Sequence, residues 1–324
     1  MGELYVPDTN RAPIFVSAGV VKTEEQIRQF TRIPELAAQV IGSFSENEWQ
    51  GNDPTGRETI FWWDERNQAA YNAVGLRNPG SKAASEYLPR SIQRMHSVGQ
   101  LAIISVTALA HEDPQTVLPR LAEWALDMGA DGVEIDGSCP NHGTILGEDV
   151  EAMRALAASV RQRVGEDPYV AIKFSDLPET VIDQYTGRTR LAVDGVSLIN
   201  AVRRQVPRDR RTGEQHIKVN GGFAGQSGPA IKNRARNNLA AWATNNKGEL
   251  RAGWHLGYQL WSVGGVDSGY EIHERKHYLG AHMVGAAQAL SHYRTQRPDV
   301  VIRQWAEEYD EALASSLSGL SGSL

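Results

Sequence analysis

The chain is predicted to be an α/β protein folded as a (β/α)₈ barrel, the TIM-barrel architecture. Two observations favour this fold. Short apolar segments alternate with helical segments along the whole chain, and the apolar segments number eight. Such alternation is typical of a closed or open parallel sheet with helices on its outer face, and eight strands in this order indicate the closed form.

Each predicted strand is a short run of apolar residues bounded by loop-forming residues. The strands are predicted at Ile14 to Ser17, Gln39 to Gly42, Leu101 to Thr107, Gly132 to Ile135, Tyr169 to Lys173, Gly195 to Ile199, Gln259 to Val263 and His282 to Gly285. Between the strands, apolar residues recur with helical spacing. This pattern predicts helices such as Gln115 to Met128, Asp149 to Val164 and Pro229 to Asn245.

The segment from Ser45 to Gly80 interrupts the alternation after the second predicted strand. It is too long and too rich in Gly, Pro and Asn to be an ordinary connection, so we interpret it as a loop insertion that forms a lid or a binding loop. We expect a single domain over residues 1–316, followed by a flexible tail at residues 317–324 that is rich in Ser and Gly.

The composition, 41% hydrophobic and 22% charged, is that of a globular protein with one large core. No apolar run is long enough for a transmembrane helix and no signal-peptide pattern follows Met1, so we expect no membrane association and a cytoplasmic location. A net charge of −6 argues against a nucleic-acid binder. We interpret the local basic cluster as a solvated loop; it comprises Arg203, Arg204, Arg208, Arg210 and Arg211.

The chain contains one cysteine, Cys139, which follows the predicted strand Gly132 to Ile135. A single thiol excludes an internal disulfide, a CxxC pair and an iron–sulfur cluster held by this chain alone. A buried, inert cysteine is the alternative. Because Ser138, Pro140 and Asn141 form loops readily, we place Cys139 on a loop at the carboxyl end of a barrel strand, where catalytic groups of such barrels lie.

Two glycine-rich stretches, Gly221 to Gly228 and Val263 to Gly269, occur late in the chain. The second follows a predicted strand and opens a helix, so its backbone N–H groups suit a phosphate. A plain turn is the alternative. Gly285 to Gln288, at the end of the eighth predicted strand, would complete such a phosphate site.

His273 and His277 are spaced four residues apart in the sequence HERKH. Such spacing is found in zinc sites, but no third ligand is evident. We therefore predict a solvated face on the barrel exterior and no metal site.

A series of motifs follows in a characteristic order. They are VSAGV (16–20), GNDPTGR (51–57), YNAVGLRN (71–78), EIDGSCPN (134–141) and AIKF (171–174), and then Asn200, GGFAGQSG, VGGVDSG and GAHMVGAAQAL. From about Phe15 to Leu290 this series resembles the dihydroorotate dehydrogenase family, specifically its soluble first class. The most specific match is EIDGSCPN, which is similar to the family's ELNLSCPN.

The resemblance implies a barrel that holds FMN, with its phosphate between the loops after strands seven and eight and its ring across the barrel mouth. It implies Cys139 as the proton-transfer residue and Lys173 as the charge that stabilises reduced flavin. The implied cofactor-binding residues are Ala18, Gly19, Ser43, Lys173, Gly225, Gly264, Gly265, Ala287 and Gln288. The implied substrate-binding residues are Asn72, Gly75, Leu76, Asp136, Asn141 and Asn200.

The chain departs from the family pattern at two positions. Gly42 stands where the family's TKS motif has a lysine, and Asp136 stands where the family has an asparagine. Losing a cation and gaining an anion changes the local charge by about two units, which disfavours a carboxylate ligand. We therefore expect the substrate to be a cyclic amide or dihydropyrimidine-like compound other than dihydroorotate.

Several alternatives stay open from the sequence alone. They are dihydroorotate dehydrogenase proper in pyrimidine biosynthesis, a non-redox phosphate-binding lyase or isomerase, a tRNA dihydrouridine synthase and a family member without catalysis. An acidic chain disfavours the tRNA enzyme. We expect a soluble electron acceptor or donor, for which fumarate, oxygen, a nicotinamide cofactor and a reductase subunit all remain open, and the resemblance suggests a homodimer.

Overall fold

A computed structural model of the chain describes residues 12–137, 146–186, 190–251, 257–291 and 297–321. Numbered in chain order, its barrel strands are β1 (Ile14–Val21), β2 (Ala38–Phe44), β5 (Leu101–Val106), β6 (Gly132–Asp136), β7 (Tyr169–Lys173), β8 (Gly195–Leu198), β11 (Gln259–Ser262) and β12 (Met283–Ala286). They close into a barrel in the order β1-β12-β11-β8-β7-β6-β5-β2. Each predicted strand overlaps one of these strands, so the predicted (β/α)₈ barrel is confirmed.

Helices cover the outside of the barrel. They are α1 (Glu24–Thr31), α2 (Gly80–Ser85), α3 (Leu88–Ser97), α4 (Pro114–Asp127), α5 (Val150–Val164), α6 (Glu179–Ile182), α7 (Lys232–Arg251), α8 (Gly269–His277) and α9 (Pro298–Ser321). Side-chain caps fix where several of them begin, because they satisfy backbone N–H groups that lack a partner within the helix. Asp113 accepts from Gln115 at the start of α4, and Asp149 accepts from Ala152 at the start of α5.

The barrel interior is apolar for most of its depth. The rings of Phe15 and Trp261 lie 4.8 Å apart, and Tyr169 lies 6.1 Å from Trp261. Successive side chains of a strand point to opposite faces, so alternate residues fill this interior. Towards the carboxyl ends the interior turns polar, and Glu134 and Lys173 are buried there.

A second sheet lies outside the barrel and corrects one expectation. It consists of β3 (Phe61–Asp64), β4 (Ala69–Asn72), β9 (Val202–Gln205) and β10 (Phe223–Ser227), paired in the order β3-β4-β10-β9. The insertion between Ser45 and Gly80 is thus not simply a loop, because it supplies two of these strands. The stretch Gly221 to Gly228 contains β10.

The basic cluster is also only partly a loop. Arg203 and Arg204 lie on β9, whereas Arg208, Arg210 and Arg211 follow it. All five side chains are exposed, so the prediction of a solvated cluster is correct and the prediction of a loop is wrong for the first two.

The C-terminal helix α9 changes the environment of α8. His273 is buried, whereas His277 is exposed, and His277 Nε2 lies 3.0 Å from the hydroxyl of Tyr309 on α9. The expectation of a solvated histidine face is therefore wrong for His273, over which α9 packs, and correct for His277. Helix α9 continues past Leu317 to Ser321, into the segment expected to be a tail; the flexibility of that segment stays a prediction.

Among the described residues, no helix combines the length and the apolar character needed to cross a membrane.

Candidate functional site

A cavity of about 270 Å³ opens at the carboxyl ends of the barrel strands. One wall comes from the barrel, with Ser43 on β2, Asp136 on β6 and Lys173 on β7. Another wall comes from the second sheet, with Asn72 on β4 and Gly225 on β10. Because strand ends and their loops carry ligand-binding groups in such barrels, this cavity is the candidate active site.

The structure brings the predicted site residues together. Of those that it describes, every one lines this cavity: Ala18, Gly19, Ser43, Asn72, Gly75, Leu76, Asp136, Lys173, Asn200, Gly225, Gly264, Gly265, Ala287 and Gln288. The two others, Cys139 and Asn141, lie outside the described residues. The roles assigned to all of these residues stay predictions.

Two adjacent strands place opposite charges side by side at the cavity floor. Asp136 and Lys173 are register partners on β6 and β7, and they are only 7% and 5% exposed. Ser43 Oγ lies 2.9 Å from Ser105 Oγ and donates to Asp136 Oδ2 at 3.4 Å. The floor can therefore present both an anion and a cation to a ligand.

Gly42 adopts a backbone conformation that excludes a side chain. Its φ is +127°, and an added Cβ would lie 2.4 Å from the carbonyl oxygen of Ser105. The register between β2 and β5 shifts directly after it, between Gly42 and Phe44. The lysine of the family pattern therefore does not fit at Gly42 in this conformation.

Glu134 is a buried acid below the cavity that the sequence analysis did not single out. Burial raises its pKa, although the charge of Lys173 and the hydroxyl of Ser197 act in the opposite direction. Within the described residues its Oε1 atom has no hydrogen-bond partner. The sequence could have indicated that Glu134 lies near the cavity, because Glu134 and Asp136 are two residues apart on one strand and therefore face the same side.

The loops above the floor are held by specific side chains. Asn52 Nδ2 donates to the carbonyl of Ala73 at 2.9 Å, and Trp49 Nε1 donates to that of Gly75 at 2.8 Å. Asn72 Nδ2 donates to Gly225 at 3.4 Å and so links β4 to β10. These contacts fix the segment that carries the predicted residues Gly75 and Leu76.

Two further cations line the cavity and were not predicted as site residues. Lys22 donates from Nζ to the carbonyl of Arg77 at 2.7 Å, and Arg203 stacks over the ring of Phe223 at 4.3 Å. Arg203 reaches the cavity only because β9 pairs with β10. No local pattern in the sequence indicates that pairing.

The far end of the cavity is formed by a glycine loop that packs closely against the start of α7. Gly265 packs so tightly that an added Cβ would lie 2.4 Å from the Cα atom of Lys232. Gln288, opposite, has a buried Nε2 atom without a hydrogen-bond partner in the described part of the chain. Unsatisfied buried donors are rare, and together with the glycine backbone this one suits an anionic acceptor such as a phosphate.

Comparisons with known proteins agree with the motif series. A sequence model of the family described as "Dihydroorotate dehydrogenase" matches residues 6–307. The chain is 26% identical over 292 residues to "Probable dihydroorotate dehydrogenase A (fumarate)" of Enterococcus faecalis, covering 87% of this chain and 85% of that protein. It is 24% identical over 223 residues to "Dihydroorotate dehydrogenase B (NAD(+)), catalytic subunit" of Alkaliphilus oremlandii, covering 68% of each.

The fold is also similar to a solved structure. The "Crystal structure of DHODH in complex with ferulenol from Eimeria tenella" superposes with a TM-score of 0.74 at 16% identity, covering 94% of this chain and 82% of that one. At this identity the similarity concerns the fold alone.

Proposed function

The chain belongs to the dihydroorotate dehydrogenase family, and from this premise we propose that it is an FMN-dependent oxidoreductase acting on a C–C bond beside a carbonyl. Its substrate is a cyclic amide or dihydropyrimidine-like compound that lacks a carboxylate. The observation that supports this most is the shared cavity, where the residues that the motif series predicts for cofactor and substrate meet.

The residues present fit FMN at two places. At the far end, the tightly packed backbone of Gly265 and the unpaired Nε2 of Gln288 would hold the phosphate. At the floor, the buried ammonium of Lys173 would lie against the flavin ring. FMN, when bound, supplies the hydride acceptor or donor.

The other residues act on the substrate and on its proton. Asn72, Asp136 and Asn200 line the cavity and would orient a ring that carries amide groups. Cys139 is the proton-transfer residue, which is proposed from the resemblance of EIDGSCPN to the family motif. The thiol would exchange a proton with the carbon next to the carbonyl, at the Sγ atom.

The charges at the floor support a substrate without a carboxylate. Gly42 provides no cation, and Asp136 adds a buried anion beside Lys173. A ligand carboxylate would meet this anion, whereas a neutral amide can donate to it.

Dihydroorotate dehydrogenase proper is the second candidate. The relatives carry that name, and Lys22 and Arg203 bring two cations to the cavity wall from other elements. A dihydroorotate carboxylate bound there would not need a lysine at Gly42.

The first experiment is an absorption spectrum of the purified protein in the visible range, with identification of any cofactor that heat releases. Bound FMN would support the redox assignment. Anaerobic bleaching of the flavin then screens dihydropyrimidines and other cyclic amides, with dihydroorotate included. Rapid bleaching by dihydroorotate and not by neutral compounds would favour the second candidate and refute a substrate without a carboxylate.

A colourless protein that also fails to take up added FMN would refute the flavin assignment and leave the non-redox phosphate-binding barrel. If FMN is bound, Cys139→Ser tests the proton-transfer role. The variant should retain FMN and lose about 10²–10⁴ in the rate of flavin bleaching by substrate, the usual contribution of a positioned acid or base. An unchanged rate would remove Cys139 from the mechanism.

A further inference from the structure

Arg275, on α8, has a fully buried side chain and lies behind the loop that follows β11. A buried guanidinium is costly unless ion pairs and hydrogen bonds compensate it. Its Nε atom donates to Glu271 Oε1 at 2.7 Å, which supplies one partner on the same helix. The remaining donors of the guanidinium fork reach outside α8.

Those donors all reach the segment that leads into Gly264 and Gly265. Nη1 donates to Ser262 Oγ at 3.0 Å and to the carbonyl of Val263 at 3.3 Å. Nη2 donates to the carbonyl of Gly264 at 2.9 Å. One side chain therefore contacts two consecutive peptide units of the loop that lines the cavity. The carbonyl of Val263 also accepts from the backbone N–H of Ile199 at 3.2 Å, so the Gly264 carbonyl depends more on Arg275.

The hydrogen bonds from Arg275 to the loop carbonyls also determine where the N–H groups of the same peptide units point. A peptide unit is planar and its C=O and N–H point in opposite directions. With the carbonyls of Val263 and Gly264 held by Arg275, the N–H groups of Gly264 and Gly265 point away from it. Backbone N–H groups fixed in this way form the usual binding surface for a phosphate.

Neutralising the charge of Glu271 does not by itself explain why Arg275 is buried beside the loop. Glu271 also accepts from Arg236 Nη1 at 3.0 Å, and Arg236 pairs in addition with Glu274. Two guanidinium groups thus face two carboxylates, so the cluster is close to neutral. What Arg275 adds is the planar fork, which a lysine does not reproduce.

We propose that Arg275 is a positioning residue for the phosphate monoester of the cofactor, acting through the peptide units at Val263 and Gly264. This inference rests on the proposed function, because it takes FMN to be the ligand. The proposed role concerns binding of the phosphate and not of the flavin ring, so its effect on the affinity for FMN should differ from its effect on the affinity for riboflavin.

The experiment compares Arg275→Lys and Arg275→Met with Arg236→Met. The control removes a guanidinium that contacts the same Glu271, but none of the hydrogen bonds of Arg236 reaches the loop. Each flavin-free protein is titrated with FMN and with riboflavin, which lacks the phosphate, and binding is followed by flavin fluorescence. Circular dichroism checks that each variant is folded.

Both Arg275 variants should bind FMN at least about tenfold more weakly, as expected for the loss of two or three buried hydrogen bonds, while riboflavin affinity stays within about twofold. Arg236→Met should leave both affinities unchanged. Equal weakening of FMN and riboflavin, or full affinity of Arg275→Lys for FMN, would overturn the inference.

Ser262→Ala provides a second test if Arg275→Met does not fold. It removes one acceptor of Nη1 without creating a new charge, and it should weaken FMN selectively by a smaller factor. Unchanged FMN affinity in both Ser262→Ala and Arg275→Lys would refute the positioning role. Failure of the wild-type protein to bind FMN would instead refute the proposed function, and the inference with it.

Discussion

Arg161 Nη2 lies 2.6 Å from Asp194 Oδ2 at the amino-terminal end of the barrel, opposite the cavity, and both side chains are only 6% exposed. Asp194 also accepts from the backbone N–H of Val170 at 2.9 Å. Arg161 donates to the carbonyl of Pro168 at 2.8 Å. The pair therefore ties helix α5 to the starts of β7 and β8.

Removing one partner of this pair should destabilise the protein strongly. Arg161→Met or Asp194→Asn leaves the other polar group buried without its partner, and we expect a loss of about 3–5 kcal/mol in the free energy of unfolding, measured by urea denaturation. The control is Arg90→Met, which breaks an exposed pair with Glu24 and should cost little stability, because water screens that pair. Equal losses for the two pairs would contradict this account.

Glu134 should make stability fall as pH rises. Because burial raises its pKa above the ordinary 4.5, the folded protein keeps this proton at pH values where the unfolded chain has released it. The stability contributed by the group is complete below pH 4.5 and is lost as pH rises through the folded pKa. Glu134→Gln does not titrate, so it should gain stability relative to wild type from pH 4.5 upward.

The measurement is urea unfolding of both proteins between pH 4.5 and neutrality. Glu24 gives a control of opposite sign, because its hydrogen bond with Arg90 lowers its pKa. The stability that Glu24 contributes is complete above pH 4.5 and is lost only as pH falls below it, so the difference between Glu24→Gln and wild type should stay level over this range and shrink at lower pH. If the difference in the free energy of unfolding between Glu134→Gln and wild type does not change with pH, folding does not raise the pKa of Glu134.

Placing the lysine of the family's TKS motif at Gly42 should not create a site for dihydroorotate. Gly42→Lys and Gly42→Ala both add a Cβ that collides with the carbonyl of Ser105 at a φ of +127°, and we expect a loss of about 2–5 kcal/mol. Gly99→Ala, at a φ of +74° with open space around the added Cβ, should cost only about 1–2 kcal/mol. A stable Gly42→Lys protein that gains dihydroorotate turnover would refute this expectation.

Asp136 should be responsible for part of the discrimination against carboxylates. Asp136→Asn removes one negative charge from the cavity floor, which is worth on the order of 1 kcal/mol to an anion across the cavity, or about fivefold in affinity. Orotate should therefore bind more tightly to the variant, as measured by perturbation of the flavin spectrum. Uracil, which has the same ring without the carboxylate, is the matched ligand and should gain no affinity, because Asp136→Asn removes a charged acceptor for its amide; an equal gain for both ligands would point to a steric effect.

The barrel could be predicted because each of its strands carries its own local signal. The strand Tyr169 to Lys173, for example, was predicted with the bounds that the structure has. Residues at strand ends converge on one face of a barrel, so the site residues that the resemblance implies at such strand ends could be expected to line one cavity.

The second sheet could not be predicted in the same way. Asn72 and Gly225 meet across 153 residues of sequence, and strands as short as β4 and β9 have little periodicity of their own. The burial of His273 depends likewise on packing against α9, and nothing in the sequence of α8 indicates that packing. The double role of Arg275 in an ion pair and in the loop is also a tertiary property, since its three acceptors outside α8 lie 11 to 13 residues before it.

The second sheet joins two insertions that are remote in sequence, each anchored to the barrel at both of its ends. Neither insertion can complete the sheet without the other, because β4 needs β10 as its neighbour. A chimaera that receives only one of the two insertions from a relative would therefore carry mismatched edges. Transplanting substrate preference between relatives would require exchanging both insertions as a pair.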